Sequence, residues 1–390
     1  MRVLLSFDKF KDSLTAPEAC GLASAALRDR QPNWTLDLCP LTDGGEGFCE
    51  ILTRAAGGTL EKISVTGPRG EPVEASVGFV SVAHIPPAAR ALLLLSDPQL
   101  STLNSQPMIA IVEMAAASGL ALLPESLRDP WQTSSVGTGE LIRFAAGRGV
   151  AAILVGIGGS ATHDLGLGAL SALGVKCLSA DGAAIRPPVP ARWREVTQLA
   201  GRVAQDFPPI RIACDVANPL LGPRGAATVY GPQKGLRPES LAHLEQATDG
   251  LARLLIAHCG KNHSLLEMPG TGAAGGIAVG LMAAARAEIV TGFALVSAWL
   301  DLDARLAAAD LVITGEGRFD ASSLDGKGPG AVAARAAALG QPVHVFAGAI
   351  TVPAPPPGLT LHAITAPGTP LAAALLAAPA NLAAAVRAAF

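Results

Sequence analysis

The sequence predicts an α/β protein of two domains with largely parallel strands, and three features carry that prediction. Short β-branched and leucine-rich runs alternate with alanine-rich helical runs. A strand–helix–strand unit stands near each end of the chain, while the stretch between them switches to period-two alternation. Half of the 390 residues are apolar, enough to bury more than one core.

Taken in order, residues 2–7 (RVLLSF) read as a strand, 16–30 (APEACGLASAALRDR) as a helix with Thr15 as its N-cap, and 35–41 (TLDLCPL) as the second strand of a βαβ unit. Residues 61–80 (EKISVTGPRGEPVEASVGFV) alternate around a Gly-Pro-Arg-Gly-Glu-Pro turn, as an antiparallel hairpin does. A loop with one short apolar segment is expected over 84–107, followed by strands at 108–115 (MIAIVEMA) and 150–157 (VAAILVGI). The second of these is apolar throughout, as a sheet covered on both faces requires. Near the other end, 309–314 (ADLVIT), a helix from about 330 to 339 and 342–349 (PVHVFAGA) form a second βαβ unit. The proline cluster at 351–358 reads as an exposed turn and 371–390 as a packed helix. Because the two terminal units can share a sheet, the predicted domains are 1–65 with 295–390, and an inserted mixed α/β domain at 66–294.

Composition excludes several classes. Charged residues make up 16% and the formal net charge is -3, which supports neither a nucleic-acid track nor a membrane-surface patch. Helix-turn-helix and basic recognition segments are missing. The six cysteines contain no C-x-x-C pair and sit beside apolar residues, as buried thiols of a reducing cytoplasm do. The apolar run GGIAVGLMAAA falls short of the roughly 20 residues that a membrane span needs, and the N-terminus does not read as a secretory signal. No H-E-x-x-H, G-x-S-x-G or Walker-type motif occurs, so a zinc enzyme, a serine hydrolase and a P-loop enzyme are all disfavoured.

The chemistry concentrates in five polar loops that follow apolar strands, the usual address of ligands in open α/β sheets. SFDKFKDSLTA (6–16) carries Asp8, Lys9, Lys11 and Ser13, and LTDGGEGF (41–48) sets Asp43 and Glu46 around Gly44 and Gly45. Paired carboxylates of this kind hold Mg²⁺ or accept a hydroxyl proton. LVGIGGSATHDLGLGALSALG (154–174) offers Gly158, Gly159, Ser160 and Thr162 ahead of a helix, the make-up of a phosphate cradle. His163 lies in that loop, where it either faces solvent or touches ligand. The same segment satisfies G-x-G-x-x-A with Asp181 about 20 residues on, which makes an NAD(P)-dependent oxidoreductase the competing reading. IRIACDVANPLLG (210–222) supplies Asp215 and Asn218, and GPQKG (231–235) supplies Lys234. The stretch from Val312 into GEGRFDASSLDGKG contributes Glu316, Arg318, Asp320, Asp325 and Lys327 in what reads as a charged turn.

Together FDKFKDSL, DGGEGF, GIGGSATHD, CDVANPL, GPQKG, GTGAAGG and VITGEGRFDASSLDGK, in that order, resemble the bacterial type 1 glycerate kinase family over nearly the whole chain. The resemblance implies ATP-dependent phosphorylation of D-glycerate with Mg²⁺, and a Rossmann-like domain built from both chain ends beside an inserted α/β domain, with the active site in the cleft between them. Carried over by motif, it points to Asp8, Lys11, Ser13, Asp43, Gly44, Gly45, Glu46, Gly158, Gly159, Ser160, Asp164, Asp215, Asn218, Lys234, Glu316, Arg318, Asp320 and Lys327. On this basis Asp8 or Asp215 takes the acceptor proton, and Asp43 and Glu46 hold Mg²⁺. Arg318 or Lys11 meets the glycerate carboxylate, the 158–162 loop holds the ATP phosphates, and 2-phosphoglycerate is the favoured product. Two departures stand out: the family usually has Asn-Asp-Gly where this chain has His163-Asp164-Leu165, and commonly Thr at Phe48. A small-molecule sensor on the same scaffold is a third, non-enzymatic reading, and the sequence leaves a homo-oligomer open.

Overall fold

The computed structural model describes residues 1–93, 107–324, 326, 328–352 and 357–390. Among these the strands run in chain order β1 (Arg2–Phe7), β2 (Thr35–Leu38), β3 (Thr59–Thr66), β4 (Pro72–Ser81), β5 (Met108–Glu113), β6 (Ala152–Gly156), β7 (Lys176–Leu178), β8 (Gln198–Ala200), β9 (Ile210–Ala213), β10 (Ala287–Val290), β11 (Leu311–Phe319), β12 (Val343–Ile350) and β13 (Leu359–Ala363). Two compact units result, one of Met1–Asp43 with Val296–Phe390 and one of Gly44–Leu295.

In the unit made from both chain ends, five parallel strands lie in the order β13-β12-β11-β1-β2. Counted within this unit the order is 2-1-3-4-5, a doubly wound sheet whose winding reverses between β1 and β11. That reversal opens a crevice at the carboxyl ends of these two strands. Val3, Leu5 and Phe7 of β1 pack with Ala19, Ala23 and Leu27 of the helix Ala16–Arg30 and with Leu382 and Val386 of the last helix. The first helix starts at the predicted cap, with Thr15 Oγ1 accepting from the Glu18 N–H at 3.3 Å and Glu18 Oε2 accepting from the Thr15 N–H at 2.8 Å. Such a capping box satisfies two amides that the helix itself cannot.

Three features of this unit differ from the sequence reading. β11 continues through Phe319, so Glu316 and Arg318 stand on a strand; pairing with β12 extends to Arg318↔Ala349 and Phe319↔Ile350. Gly315 permits this, because a Cβ there would lie 1.9 Å from the Phe346 carbonyl oxygen. β13, which pairs with β12, lies beside a proline- and glycine-rich segment that hides it in the sequence. Finally, the helix Leu371–Ala389 has 19 residues and a mean hydropathy of 1.5, long and apolar enough to cross a membrane by length and composition alone. Counting uninterrupted glycine-rich runs overlooks it. It docks Ala378, Leu382 and Val386 on the core and leaves Leu371 and Leu376 exposed.

The second unit holds a six-stranded sheet, β10-β9-β6-β5-β4-β3, with β10, β9, β6 and β5 parallel and the β3–β4 hairpin antiparallel at one edge. Residues 44–65, which the sequence reading groups with the first unit, fall here, since β3 pairs with β4 from Thr59↔Phe79 to Thr66↔Pro72. Every residue of the central β6 is buried. Ile153, Leu154 and Val155 each contribute about 1.5–3 kcal/mol by leaving water, and they fix the loop that follows them. Cys20, Cys39, Cys49, Cys177 and Cys214 are buried, and no disulfide forms among the described residues. Burial pushes the thiols of Cys20, Cys49 and Cys177 up to about 12, which makes them poor nucleophiles.

Candidate active site

At the reversal point of the first unit, the Asp8 N–H donates to the Gly315 carbonyl at 3.0 Å, which sets Asp8 directly after β1. Its Oδ1 accepts from the Lys9 N–H at 2.7 Å. Its Oδ2 would lie 3.8 Å from a Cβ placed on Gly328, the first residue of the helix Gly328–Ala338. The carboxylate therefore sits at the positive end of a helix dipole. Glu316 projects from β11 nearby, and its Oε1 is buried without a hydrogen-bond partner among the described residues. Desolvation, then the charges of Asp8, Asp320 and Asp43, push its carboxyl up to about 7 against an opposing contact from Ser323. Crowded carboxylates in a partly dry site behave in this way.

Lys9 Nζ reaches Asp43 Oδ1 at 3.5 Å, and the largely exposed Arg318 places Nε 3.2 Å from Asp320 Oδ2. Hydrogen bonds from the Ser322 hydroxyl and then its N–H hold the Asp320 carboxyl below its ordinary value. Lys11 is exposed. Ser13 donates its hydroxyl to the Leu375 carbonyl at 2.7 Å, which ties the first loop to the last helix. Asp325 and Lys327 lie outside the described residues. The structure thus gathers Asp8, Asp43, Glu316, Asp320 and Arg318, and assigns Ser13 to the scaffold.

In the second unit the two glycine loops lie on each other. The Gly158 N–H donates to the Gly44 carbonyl at 2.9 Å. A Cβ on Gly158 would stand 2.7 Å from Gly45 Cα, and one on Gly156 would stand 2.6 Å from both the Gly44 carbonyl oxygen and a ring carbon of Phe48. Only glycine permits this approach. Gly44 and Gly159 also take φ of 94° and 69°. Glu46 lies against the same loop, its Oε1 2.9 Å from where a Gly159 Cβ would be.

Beneath the loop Lys234 is almost fully buried and donates to Ser160 Oγ at 3.1 Å and to the Thr162 carbonyl at 2.6 Å. Burial pushes its ammonium down to about 7, with Asp164 opposing that fall. Because Ser160 Oγ accepts from Lys234, its own proton points elsewhere, which makes the hydroxyl an oriented donor. Thr162 Oγ1 is buried with no hydrogen-bond partner among the described residues.

Asp164 is fully buried and accepts from the Ser135 N–H (2.7 Å) and hydroxyl (2.8 Å) and from the Gly166 and Gly168 N–H groups (3.1 Å each). Burial raises its carboxyl while these donors oppose the rise. It organises the loop from within. His163 does not face solvent: it is fully buried with Nε2 3.0 Å from Thr248 Oγ1. Desolvation, then Lys234, push it down to about 3, so it is neutral. Leu165, where the family usually has Gly, keeps the left-handed φ of 55°. The strain of about 1–2 kcal/mol is offset by its complete burial.

The dinucleotide fingerprint loses its context here, because the next helix begins only at Leu167 and not at the glycines. Asp181 is exposed and closes a turn, accepting from the Ala183 N–H at 3.3 Å. The second glycine motif, GTGAAGG, is a buttress: the Leu165 N–H donates to the Gly275 carbonyl at 3.0 Å, and a Gly275 Cβ would stand 2.2 Å from the Thr162 carbonyl oxygen. Asp215 accepts from the Phe293 N–H with both oxygens, at 3.0 and 2.8 Å, at the start of the helix Gly292–Trp299. Asn218 donates to the Arg224 carbonyl at 2.8 Å and accepts from the Tyr230 hydroxyl at 2.7 Å.

Sequence reasoning misses Glu113, buried at the end of β5, whose Oε2 accepts from the Cys49 N–H at 3.1 Å. It also misses Thr133, which donates to the Ala161 carbonyl at 3.0 Å, and Ser135. The hydroxyl run Thr133-Ser134-Ser135 just ahead of the helix Val136–Ala146 is the available signal.

A family model described as the glycerate kinase family matches residues 3–389. The chain belongs to the glycerate kinase family. It is 38% identical over 356 residues to the glycerate kinase of Haemophilus influenzae, covering 90% of this chain and 86% of that one. To the glycerate 2-kinase of Escherichia coli K12 it is 36% identical over 355 residues, with the same coverage of 90% and 86%. The crystal structure of a Salmonella typhimurium LT2 protein assigned the name glycerate kinase 2 matches with a TM-score of 0.72 and 35% identity, covering 100% of this chain and 97% of that one. Glycerate kinases are phosphotransferases, and the mixed α/β architecture agrees with that neighbour. The oxidoreductase reading has no support from these relatives.

Proposed function

We propose that the protein transfers the γ-phosphoryl group of ATP to the 2-hydroxyl of D-glycerate, yielding ADP and 2-phosphoglycerate, with Mg²⁺ as the accompanying ion. The observation that carries this reading is the crowding of Asp8, Asp43 and Asp320 around the half-buried Glu316 at the reversal point of a doubly wound sheet. Phosphoryl transfer asks a protein for positioning and charge stabilisation more than for covalent chemistry. The 2-position follows the name of the Escherichia coli relative.

Asp8 takes the proton of the acceptor hydroxyl as that oxygen bonds to the γ-phosphorus and the bond to the β–γ bridging oxygen breaks, releasing ADP. Asp215, the other nominee, already holds a helix start through both oxygens. Arg318 or Lys11, both exposed, meets the carboxylate of glycerate. The Gly159 amide and the oriented Ser160 hydroxyl approach the nucleotide phosphates, with the Gly158 N–H bracing the loop on Gly44 and Lys234 fixing it from below.

Among the described residues no group of three His, Cys, Asp or Glu side chains stands at metal-binding spacing. Mg²⁺ keeps several waters and needs only one or two carboxylates besides phosphate, so the residues present fit it. Asp43 and Glu46 would hold the ion, and Glu316 Oε1, which has no hydrogen-bond partner among the described residues, is the kind of oxygen a cation relieves. When bound, Mg²⁺ neutralises charge on the phosphates. The buried thiols accord with a cytoplasmic location.

A coupled ADP-release assay tests this reading. ADP should appear only when ATP and D-glycerate are both present, and ATP, unlike NAD, should raise the melting temperature. ADP release indifferent to glycerate, or stabilisation by NAD alone, would overturn it.

A further inference from the structure

A cavity of about 470 Å³ in the Gly44–Leu295 unit is lined by Arg69, Arg143 and Arg186. Arg69 belongs to the turn between β3 and β4, Arg143 to the helix Val136–Ala146, and Arg186 to the segment between β7 and β8. Arg2, Arg54, Arg148, Arg192 and Arg253 each pair with an Asp or Glu. Among the described residues none of the three around this cavity has an ion pair. Arg69 Nη1 donates to the Leu127 carbonyl at 3.2 Å and Arg143 Nη1 to that of Ala172 at 3.5 Å, which leaves most of their N–H groups available. The one acid in the wall, Glu140, is engaged, accepting from the Thr66 N–H at 2.7 Å and hydroxyl at 3.1 Å. Ser134 and Val136, at the amide end of the same helix, open onto the cavity as well.

We propose that this cavity is an effector site for a small acid carrying both a phosphate and a carboxylate. A guanidinium fork matches either group with two parallel hydrogen bonds, and three forks serve two such groups on one ligand. The volume lies within the usual range of small-molecule sites. Resting on the kinase reading, the ligand class is that of the reaction product, so the site would sense product. A physical route to the phosphate loop exists: Ser134 lines the cavity, and its neighbour Ser135 holds the loop-organising Asp164.

The test is calorimetric titration of the full chain with 2-phosphoglycerate, D-glycerate and inorganic phosphate, comparing wild type with Arg143→Gln/Arg186→Gln. The wild type should show two classes of 2-phosphoglycerate site. The double variant should lose one, with a dissociation constant weakened at least 10-fold and initial-rate turnover at low product unchanged. D-glycerate should show no arginine-dependent site. Arg186→Gln alone, at an exposed position, serves if the double variant does not fold. Identical isotherms for wild type and variant would overturn the site, and inorganic phosphate binding there as tightly as 2-phosphoglycerate would overturn the ligand class. The isotherm needs no turnover, so a failed kinase assay leaves this result readable.

Discussion

Replacing Glu316 by Gln should make the protein more stable and less active, and the gain should depend on pH in a defined way. The Glu316 carboxyl has an ordinary value of 4.5 and is pushed to about 7 in the fold, chiefly by desolvation. Between these values the folded state binds the extra proton, so stability falls as pH rises through this window, and the loss is complete above about 7. At 1.36 kcal/mol per pKa unit the total is about 3 kcal/mol. Gln removes the charge and keeps the shape, and its amide can donate toward Asp8 or Asp43, the acids that crowd the site. At pH 8 in EDTA without nucleotide, Glu316→Gln should melt roughly 4 °C above wild type for a chain of 390 residues, and the difference should shrink toward zero at pH 5. Turnover should fall at both values. Thermal denaturation followed by circular dichroism reads the first effect and the ADP-release assay the second. An equal melting difference at pH 5 and pH 8 would refute the argument that carboxylate crowding stores this energy.

Asp8→Asn and Lys11→Ala should leave urea unfolding unchanged and lower turnover at least about 100-fold, as loss of a general base or an anchoring cation does. Lys234→Met removes the donor beneath Ser160 and Thr162, so the KM for ATP should rise at least about 10-fold while far-ultraviolet circular dichroism stays native. Lys234→Arg should not rescue it, because the wider guanidinium does not fit the buried pocket. Asp164→Asn puts an amide against four donors and should cost about 2–4 kcal/mol in urea unfolding at neutral pH, whatever it does to activity.

The sequence is legible wherever the cause of structure is local. Thr15 and Glu18 make their capping box within a few residues, and β1, the β3–β4 hairpin and β6 carry their hydrophobic patterns openly. GEGR resembles a turn, since glycine and charge normally end strands, yet pairing with β12 carries β11 through it. The phosphate-loop candidates are legible as a loop, but their support is not. Asp164 finds Ser135 29 residues upstream, His163 finds Thr248 85 residues downstream, and Lys234 finds Ser160 across 74 residues. No window of sequence displays such partners. For the same reason the hydrogen bonds that Asp215 and Ser13 make to distant backbone are not visible in the sequence.

The account rests on one transfer, which phosphorus NMR observes directly: the purified protein incubated with ATP, Mg²⁺ and D-glycerate should lose the γ-phosphate resonance of ATP while that of 2-phosphoglycerate grows in equal amount. ATP that stays intact, or a γ-phosphate recovered only as inorganic phosphate with glycerate unchanged, would contradict it.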